Sequence, residues 1–293
     1  MKPTSVGNLW MLVAGLFFAC MGALVKIGAQ KFSSNELVFY RSLFGLLTIF
    51  IITRSGRKSL GTRRWKLHLS RSLLGFSSLA LYFYAITELP LATAVTLNYT
   101  SPLFLAALTL LYLRGDAKPI LLLGIVIGFI GIALLLQPSF SRGAWLPALL
   151  GLISGLLAGI VYLQVTQLGR MGEPEWRTVF YFTLVCTIGS GLWMLIHQFH
   201  ALTLRDLGLL SAMGACATLA QLAMTRAYRK GDPLIAGSLA YSTVILSSLL
   251  GIMLWDETLS PTGWMGVALI VISGIISLRG RVSFDKSTQA PTL

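Results

Sequence analysis

The chain has 293 residues, of which 55% are hydrophobic and only 11% are charged. An ordinary soluble domain carries about 25% charged residues, and here the apolar residues form runs long enough to span a bilayer. These values exclude a soluble globular protein and predict an all-α polytopic membrane protein. The formal net charge of +13 is compatible with nucleic-acid binding, but the placement of the basic residues argues against it.

Ten transmembrane helices are predicted from the long apolar runs. Most connections between them are short and contain helix-breaking residues, such as Pro90, Pro233 and Pro261. In chain order the predicted spans are 7–30, 34–54, 69–88, 92–113, 119–137, 144–168, 176–196, 204–227, 233–254 and 261–279.

Lysine and arginine are concentrated on one side of these spans. With the N-terminus inside, 18 of the 23 basic residues fall on the cytoplasmic side, and such an excess sets the orientation of a multi-pass protein. We expect both termini in the cytoplasm, a location in a bacterial-type inner membrane, and no nucleic-acid partner. The basic residues assigned to the cytoplasmic side are Lys2, Arg54, Arg57, Lys58, Arg63, Arg64, Lys66, Arg71, Arg114, Lys118, Arg170, Arg177, Arg226, Arg229, Lys230, Arg279, Arg281 and Lys286.

Two stretches of the chain repeat each other at a distance of 142 positions. Polar residues at i, i+3 and i+4 lie on one helix face, which we expect to point away from lipid. Because each half holds five spans, the second half enters the membrane in the opposite sense, as in many secondary transporters. We predict two inverted five-helix repeats, 1–140 and 141–282, followed by a polar cytoplasmic tail, 283–293. The matched polar residues are Thr96, Tyr99 and Thr100, and then Ser238, Tyr241 and Ser242.

Three local patterns resemble the EamA-type branch of the drug/metabolite transporter superfamily. They are Glu-Leu-Val-Phe-Tyr-Arg at 36–41, Asn-Tyr-Thr-Ser-Pro-Leu at 98–103 and Trp-Asp-Glu-Thr-Leu-Ser-Pro at 255–261. The resemblance covers about residues 7–280, and it implies two five-helix inverted repeats and the export or uptake of small metabolites. The first half departs from the pattern at 114–116, where the acidic residue is displaced by one position.

Two cations are the first candidates for substrate binding. Arg41 lies on the order of 10 Å inside the second span, where a charge marks a substrate path or a buried pair. Lys26 lies near the outer end of the first span, so we expect both cations to share one cleft that attracts a carboxylate or phosphate. Two other interpretations stay open: Arg41 pairs with Glu36 or snorkels, and Lys26 snorkels outward.

The fourth and ninth spans supply the next candidates. Tyrosine is commoner at membrane interfaces than in mid-span, so Tyr99 and Tyr241 are predicted to face the substrate cavity. Asn98 and Ser101 widen the polar face of the fourth span. Pro102 removes a backbone hydrogen bond and is predicted to be a hinge in that span.

Further polar residues are candidates for the same space, although each is also explained by contacts between helices. Tyr82 and Gln164 are included in the predicted substrate site. The others are Tyr84, Tyr162, Gln221 and Thr225.

No metal site and no cofactor are predicted. The three cysteines, Cys20, Cys186 and Cys216, lie in apolar runs without paired spacing, and His197 and His200 are too few for a zinc site. The sequence contains no serine-hydrolase, metalloprotease or phosphate-binding motif, which argues against an enzyme and against ATP-driven transport. No acidic residue lies near the middle of a span, which disfavours coupling through a proton relay.

The leading hypothesis is a secondary transporter of small metabolites that works by alternating access. Amino acids or their derivatives are the favoured substrates, and export is the favoured direction. The alternatives are an importer or exchanger of a nucleotide-like metabolite such as S-adenosylmethionine, an integral-membrane enzyme acting on lipid-linked substrates, and a channel or scaffold. The partners expected are the lipid bilayer and the small-molecule substrate, and a homodimer stays open.

Overall fold

The computed structural model describes residues 5–113, 119–141, 144–197, 199–231 and 233–279. All regular structure within these ranges is α-helical, and they contain no β-strand. The predicted tail at 283–293 and the acidic turn at 114–116 lie outside them. The helices are α1 (Ser5–Gly28), α2 (Ser34–Ser55), α3 (Trp65–Glu88), α4 (Leu91–Asn98), α5 (Ser101–Leu113), α6 (Pro119–Ser141), α7 (Trp145–Arg170), α8 (Glu175–Met194), α9 (Leu204–Lys230), α10 (Pro233–Leu239), α11 (Ser242–Trp255) and α12 (Pro261–Arg279).

The length and hydropathy of these helices are those of a polytopic membrane protein, as predicted. Shorter apolar helical stretches are found at Val126–Leu135 and Pro261–Ser273. Large apolar side chains, such as Leu47, Ile51 and Leu249, are exposed on the helix surfaces, where lipid is their natural solvent. In the described ranges, the six segments long and apolar enough to cross a bilayer are Val6–Gly28, Ser34–Ser55, Trp65–Glu88, Trp145–Arg170, Leu204–Lys230 and Ile235–Trp255.

Two of the predicted spans are not continuous helices. The predicted span 92–113 is divided into α4 and α5 at Tyr99–Thr100, and the predicted span 233–254 is divided into α10 and α11 at Ala240–Tyr241. The two breaks lie within one position of each other in the sequence repeat, since 99–100 corresponds to 241–242. Prediction from hydropathy misses such breaks, because a short interruption does not change the average hydropathy of the span.

Local hydrogen bonding differs from that of an α-helix at both breaks. The N–H of Thr100 donates to the carbonyl of Leu97 at 3.3 Å, and the N–H of Thr243 donates to the carbonyl of Ala240 at 3.0 Å. Pro102 explains the first break, because its nitrogen cannot donate to a carbonyl four residues earlier. The second break has no proline, and nothing in its local sequence explains it.

Helices from the first half of the chain pack against helices from the second half. α1 lies along α9, α2 along α8, α3 along α7 and α6 along α12. The broken helices join the same core, since α4 and α5 contact α7, whereas α10 and α11 contact α1. All 8 residues of α4 are buried, so the first break lies in the interior of the bundle.

A glycine allows α7 to approach this break. A Cβ atom at Gly155 would collide with the carbonyl oxygens of Leu97 and Asn98 and with the hydroxyl of Thr100. Small residues at helix contacts let two backbones come close. Gly155 therefore allows the α4–α5 break to lie directly against α7.

Candidate functional site

A cavity lies where α1, α2, α3, α7, α8 and α9 meet beside the α4–α5 break. Residues from both halves of the chain line it, and none of the described lining residues is Asp or Glu. A largely apolar space with a few polar groups is the usual form of a small-molecule site. The apolar lining is Phe18, Met21, Gly75, Leu79, Ala158, Val161, Phe182 and Met224, and the polar lining is Arg41, Arg71, Ser78, Tyr82, Asn98, Tyr99, Tyr162 and Gln221.

One face of α3 contributes much of this lining. Arg71, Gly75, Ser78 and Tyr82 follow each other at spacings of three or four residues, which places them on one side of a helix. A Cβ atom at Gly75 would meet the ring of Phe182 and the guanidinium of Arg71. The missing side chain therefore makes room for both groups.

Two arginines are buried at this cavity. Arg41 is 3% exposed and Arg71 is 1% exposed. Their Cζ atoms lie 5.5 Å and 4.1 Å, respectively, from the centroid of the Phe182 ring. Nε and Nη1 of both side chains lack a hydrogen-bond partner, and neither belongs to any ion pair of the described chain. A buried cation without a counter-charge is costly, so the cavity favours an anion.

Phenol and amide groups complete the polar lining. The hydroxyl of Tyr82 is buried and has no hydrogen-bond partner. Asn98 donates from Nδ2 to the hydroxyl of Ser154 at 2.9 Å, which ties the end of α4 to α7. Tyr99 lies directly after this position, at the break itself. These groups can donate to or accept from the polar atoms of a ligand.

The cavity brings together four of the predicted site residues. Arg41 lies at its wall rather than extending to the membrane surface, so the snorkelling interpretation does not describe it. The four residues come from α2, α3 and the α4–α5 region. They are Arg41, Tyr82, Asn98 and Tyr99.

Four other predicted site residues lie outside the cavity lining. Tyr241 and Ser101 are buried but do not line it, so only the first tyrosine of the repeated pair does. Gln164 donates from Nε2 to the hydroxyl of Ser70 at 2.8 Å, a contact that joins α7 to α3. The fourth is Lys26. Pro102, the predicted hinge, lies in the first turn of α5.

Lys26 does not share a cleft with Arg41, contrary to the prediction. Its ammonium forms an ion pair with Glu257 and donates to the carbonyl of Leu89 at 2.9 Å. The other carboxylate oxygen of Glu257 accepts the N–H of Leu91 at 2.7 Å. These contacts join α1, the α3–α4 connection and the segment after α11, and they neutralise the charge of Lys26.

Glu36 is not the partner of Arg41. One of its oxygens accepts the backbone N–H of His200 at 2.8 Å, and the other lies 2.8 Å from Nδ1 of the same histidine. Glu36 is fully buried, so these contacts satisfy a carboxylate that would otherwise be costly. The interpretation that pairs Arg41 with Glu36 is therefore wrong.

Arg71 is missing from the predicted site, because its position near the start of a span assigns it to the cytoplasmic basic residues. The structure places it in the cavity instead. Its sequence position contains a usable signal: Arg71 precedes Tyr82 by about three helical turns and therefore shares its face. Phe182 has no comparable signal, since a phenylalanine in an apolar span is ordinary.

A second polar cluster, whose residues do not line the cavity, joins the loop at 56–64 to the α7–α8 connection. Glu173 accepts hydrogen bonds from the Thr62 hydroxyl at 2.7 Å and from Nη1 of Arg177 at 2.8 Å. Nε2 of His68 lies 3.3 Å from the same carboxylate. Burial acts to raise the pKa of Glu173, but these contacts favour the ionised form and hold its pKa below the ordinary value.

Acid is expected to weaken this cluster. The unfolded-state pKa of a glutamate is about 4.3, and the folded-state pKa of Glu173 is lower. The stabilisation that Glu173 provides is therefore complete at pH values above its unfolded-state pKa, and it is lost as the pH falls through its folded-state pKa. Thermal unfolding of the purified protein across this acidic range measures the loss of stability. The variant Glu173→Gln should lack the part of this pH dependence that comes from Glu173. Identical pH profiles for the variant and the wild type would contradict the assignment.

Comparison with known proteins identifies the family. The model of the EamA-like transporter family matches residues 5–137 and again residues 145–279. A pseudopaline exporter of Pseudomonas aeruginosa (strain UCBPP-PA14) is 31% identical over 274 residues, which cover 92% of this chain and 94% of the exporter. A riboflavin transporter of Rhizobium johnstonii is 28% identical over 284 residues, which cover 96% of this chain and 93% of that transporter.

A solved crystal structure shares the fold. It superimposes with a TM-score of 0.72 at 19% identity, over 94% of this chain and 99% of the other. The family match confirms the resemblance seen at 36–41, 98–103 and 255–261, and it confirms the prediction of a membrane transporter. The chain belongs to the EamA-like transporter family.

Proposed function

We propose that the protein is a secondary transporter that moves small anionic metabolites across a bacterial inner membrane, with the cavity as its substrate site. The observation that carries this proposal is the pair of buried arginines, Arg41 and Arg71, at a cavity between the two halves of the chain. Ionised residues inside a membrane protein mark substrate pathways. Among amino acids and their derivatives, those with a net negative charge are the favoured substrates.

Transport by alternating access between two inverted five-helix repeats, 1–140 and 141–282, is part of the proposal. Two separate matches to one family model support the repeat. The packing between helices also supports the repeat. In it α2 corresponds to α8 and α6 to α12, and the two helices of each pair lie against each other. Likewise α1 corresponds to α7 and α3 to α9, and the contact of α1 with α9 is the equivalent of the contact of α7 with α3. A two-fold axis relating the halves produces such reciprocal contacts.

Export, with both termini in the cytoplasm, is the proposed direction and orientation. The excess of basic residues near one set of span ends supports the orientation. Similarity to an exporter over nearly the whole chain supports the direction. The relatives named above are transporters, so we propose no enzymatic activity.

Uptake or exchange of a nucleotide-like metabolite is the second candidate. The observation that favours it is the aromatic part of the lining, where Tyr82, Tyr99, Tyr162 and Phe182 can contact a flat ring. Similarity to a riboflavin transporter agrees with such a substrate. Net flux in proteoliposomes with a known orientation of the protein distinguishes uptake from export.

Ligand screening followed by counterflow tests the proposal. A ligand that binds the native state raises thermal stability, so a metabolite library identifies compounds for saturable counterflow in proteoliposomes. Tyr99→Phe should weaken binding of such a compound by about 0.5–1.5 kcal/mol. The matched variant Tyr241→Phe, outside the cavity lining, should leave binding unchanged. Flux that does not saturate would indicate a channel, chemical conversion of the compound would indicate an enzyme, and equal effects of the two variants would contradict the site.

A further inference from the structure

Arg41 and Arg71 place two positive charges close together. Both Cζ atoms lie near the same Phe182 ring, so they are separated by less than about 10 Å, the Debye length at 0.1 M salt. Screening is weaker still for charges removed from water. The two cations therefore repel each other and act on a ligand together.

Among the residues that the structure describes, none that lines the cavity carries a negative charge to balance these cations. The titratable side chains that line the cavity besides the arginines are the phenols of Tyr82, Tyr99 and Tyr162, and the thiol of Cys186 lies one helical turn after Phe182 on α8. Phenols and thiols are uncharged near neutral pH. The acidic residues paired in the described chain are bound elsewhere: Glu257 to Lys26, Glu36 to His200, Asp206 to Lys31, Glu173 to His68 and Arg177, and Glu175 to Arg229.

We propose that the substrate carries two negative charges, as a small dicarboxylate or phosphate monoester with an apolar or aromatic body. The inference rests on the proposed function and narrows its substrate class. A ligand with one negative charge leaves one cation without a partner, and a neutral ligand leaves both. The apolar wall, including Leu79, Phe182 and Met224, contacts the body of the molecule, and the two guanidiniums each bind oxygen atoms through their planar fork of donors.

A matched ligand series tests whether the preferred ligand carries two negative charges. Succinate carries two carboxylates, succinamate one and succinamide none, on the same carbon skeleton, and phenyl phosphate provides the phosphate form. The dianion that binds should stabilise the wild-type protein at about tenfold lower concentration than succinamate, and succinamide should have no effect. Stabilisation by succinate alone assigns dicarboxylates, and stabilisation by phenyl phosphate alone assigns phosphate monoesters. Equal effects of succinate and succinamate, or no effect of either dianion, would overturn the proposal.

Removal of one charge gives a second test. Arg71→Gln should abolish the preference for dianions, and it should raise the unfolding temperature of the ligand-free protein, because an unpaired buried charge is removed. An arginine with a merely structural role would show a lower unfolding temperature on replacement, which would contradict the proposal. The matched control Arg54→Gln removes an exposed arginine of α2 and should change neither quantity. Arg71→Lys, which keeps the charge, should keep the preference at weaker affinity and replaces Arg71→Gln if that variant does not fold.

Failure of this inference differs from failure of the proposed function. Saturable counterflow of a neutral or cationic metabolite through the wild-type protein would overturn the dianion inference and leave the transporter assignment in place. Tight binding of a dianion without any counterflow would leave the inference in place and overturn the transporter assignment.

Discussion

Replacement of Glu257 by alanine is expected to destabilise the folded protein by about 3 kcal/mol or more. The side chains of Lys26 and Glu257 are only 16% and 14% exposed, so removal of one partner leaves the other charge largely buried. The substitution also removes the acceptor of the Leu91 N–H. Chemical or thermal unfolding of the detergent-purified protein measures the change.

A more exposed ion pair of the same type is the matched control. Lys31 and Asp206 are paired with side-chain exposures of 39% and 17%, and Lys31→Ala should cost much less stability than Glu257→Ala, because water screens an exposed pair. Lys26→Met should destabilise the protein without changing ligand affinity, because Lys26 lies outside the cavity lining. Equal stability losses in Glu257→Ala and Lys31→Ala would contradict a structural role for the Lys26–Glu257 pair.

Arg41→Lys is expected to weaken substrate binding by about 1.5–3 kcal/mol, that is, by about tenfold or more. Lysine keeps the positive charge but lacks the planar set of donors that binds two oxygen atoms of a carboxylate or phosphate. Thermal-shift titration gives the change in affinity, and the KM of counterflow gives its effect on transport. The exposed arginine Arg54, changed to lysine, is the matched control. Full affinity and transport in Arg41→Lys would show that Arg41 acts only as a point charge or supports the structure.

The membrane class and the approximate helix bounds can be predicted from the sequence for a simple reason. In a bilayer the backbone N–H and C=O groups need hydrogen-bond partners within the protein. An α-helix provides them within one segment, so a long apolar run forms a helix. Arg41 is also found this way, because a charge deep within such a run is unusual. The proline at position 102 similarly predicts irregular geometry in the fourth span.

Other features depend on contacts between distant parts of the chain. Lys26 is a reasonable candidate for substrate binding until it is seen beside Glu257, 231 positions away. The break at Ala240–Tyr241 has no proline to indicate it. Arg71 resembles an ordinary residue at the end of a span, and only the packing of α3 against α7 and α8 places it in the interior.

Hydropathy, the 142-position repeat and the resemblance of three short patterns to a known family were enough to predict a polytopic membrane transporter and one of its two cavity arginines, since each can be read from the chain without its packing. Among the described residues, tertiary structure decided whether Lys26, Arg41 and Arg71 have a carboxylate partner. A carboxylate distant in sequence neutralises a cation only when the fold brings the two together, and this fold provides such carboxylates to Lys26 and Arg229 but to neither Arg41 nor Arg71. Cations with a carboxylate partner stabilise the folded protein, whereas Arg41 and Arg71, which have none, are the cations that we assign to substrate binding.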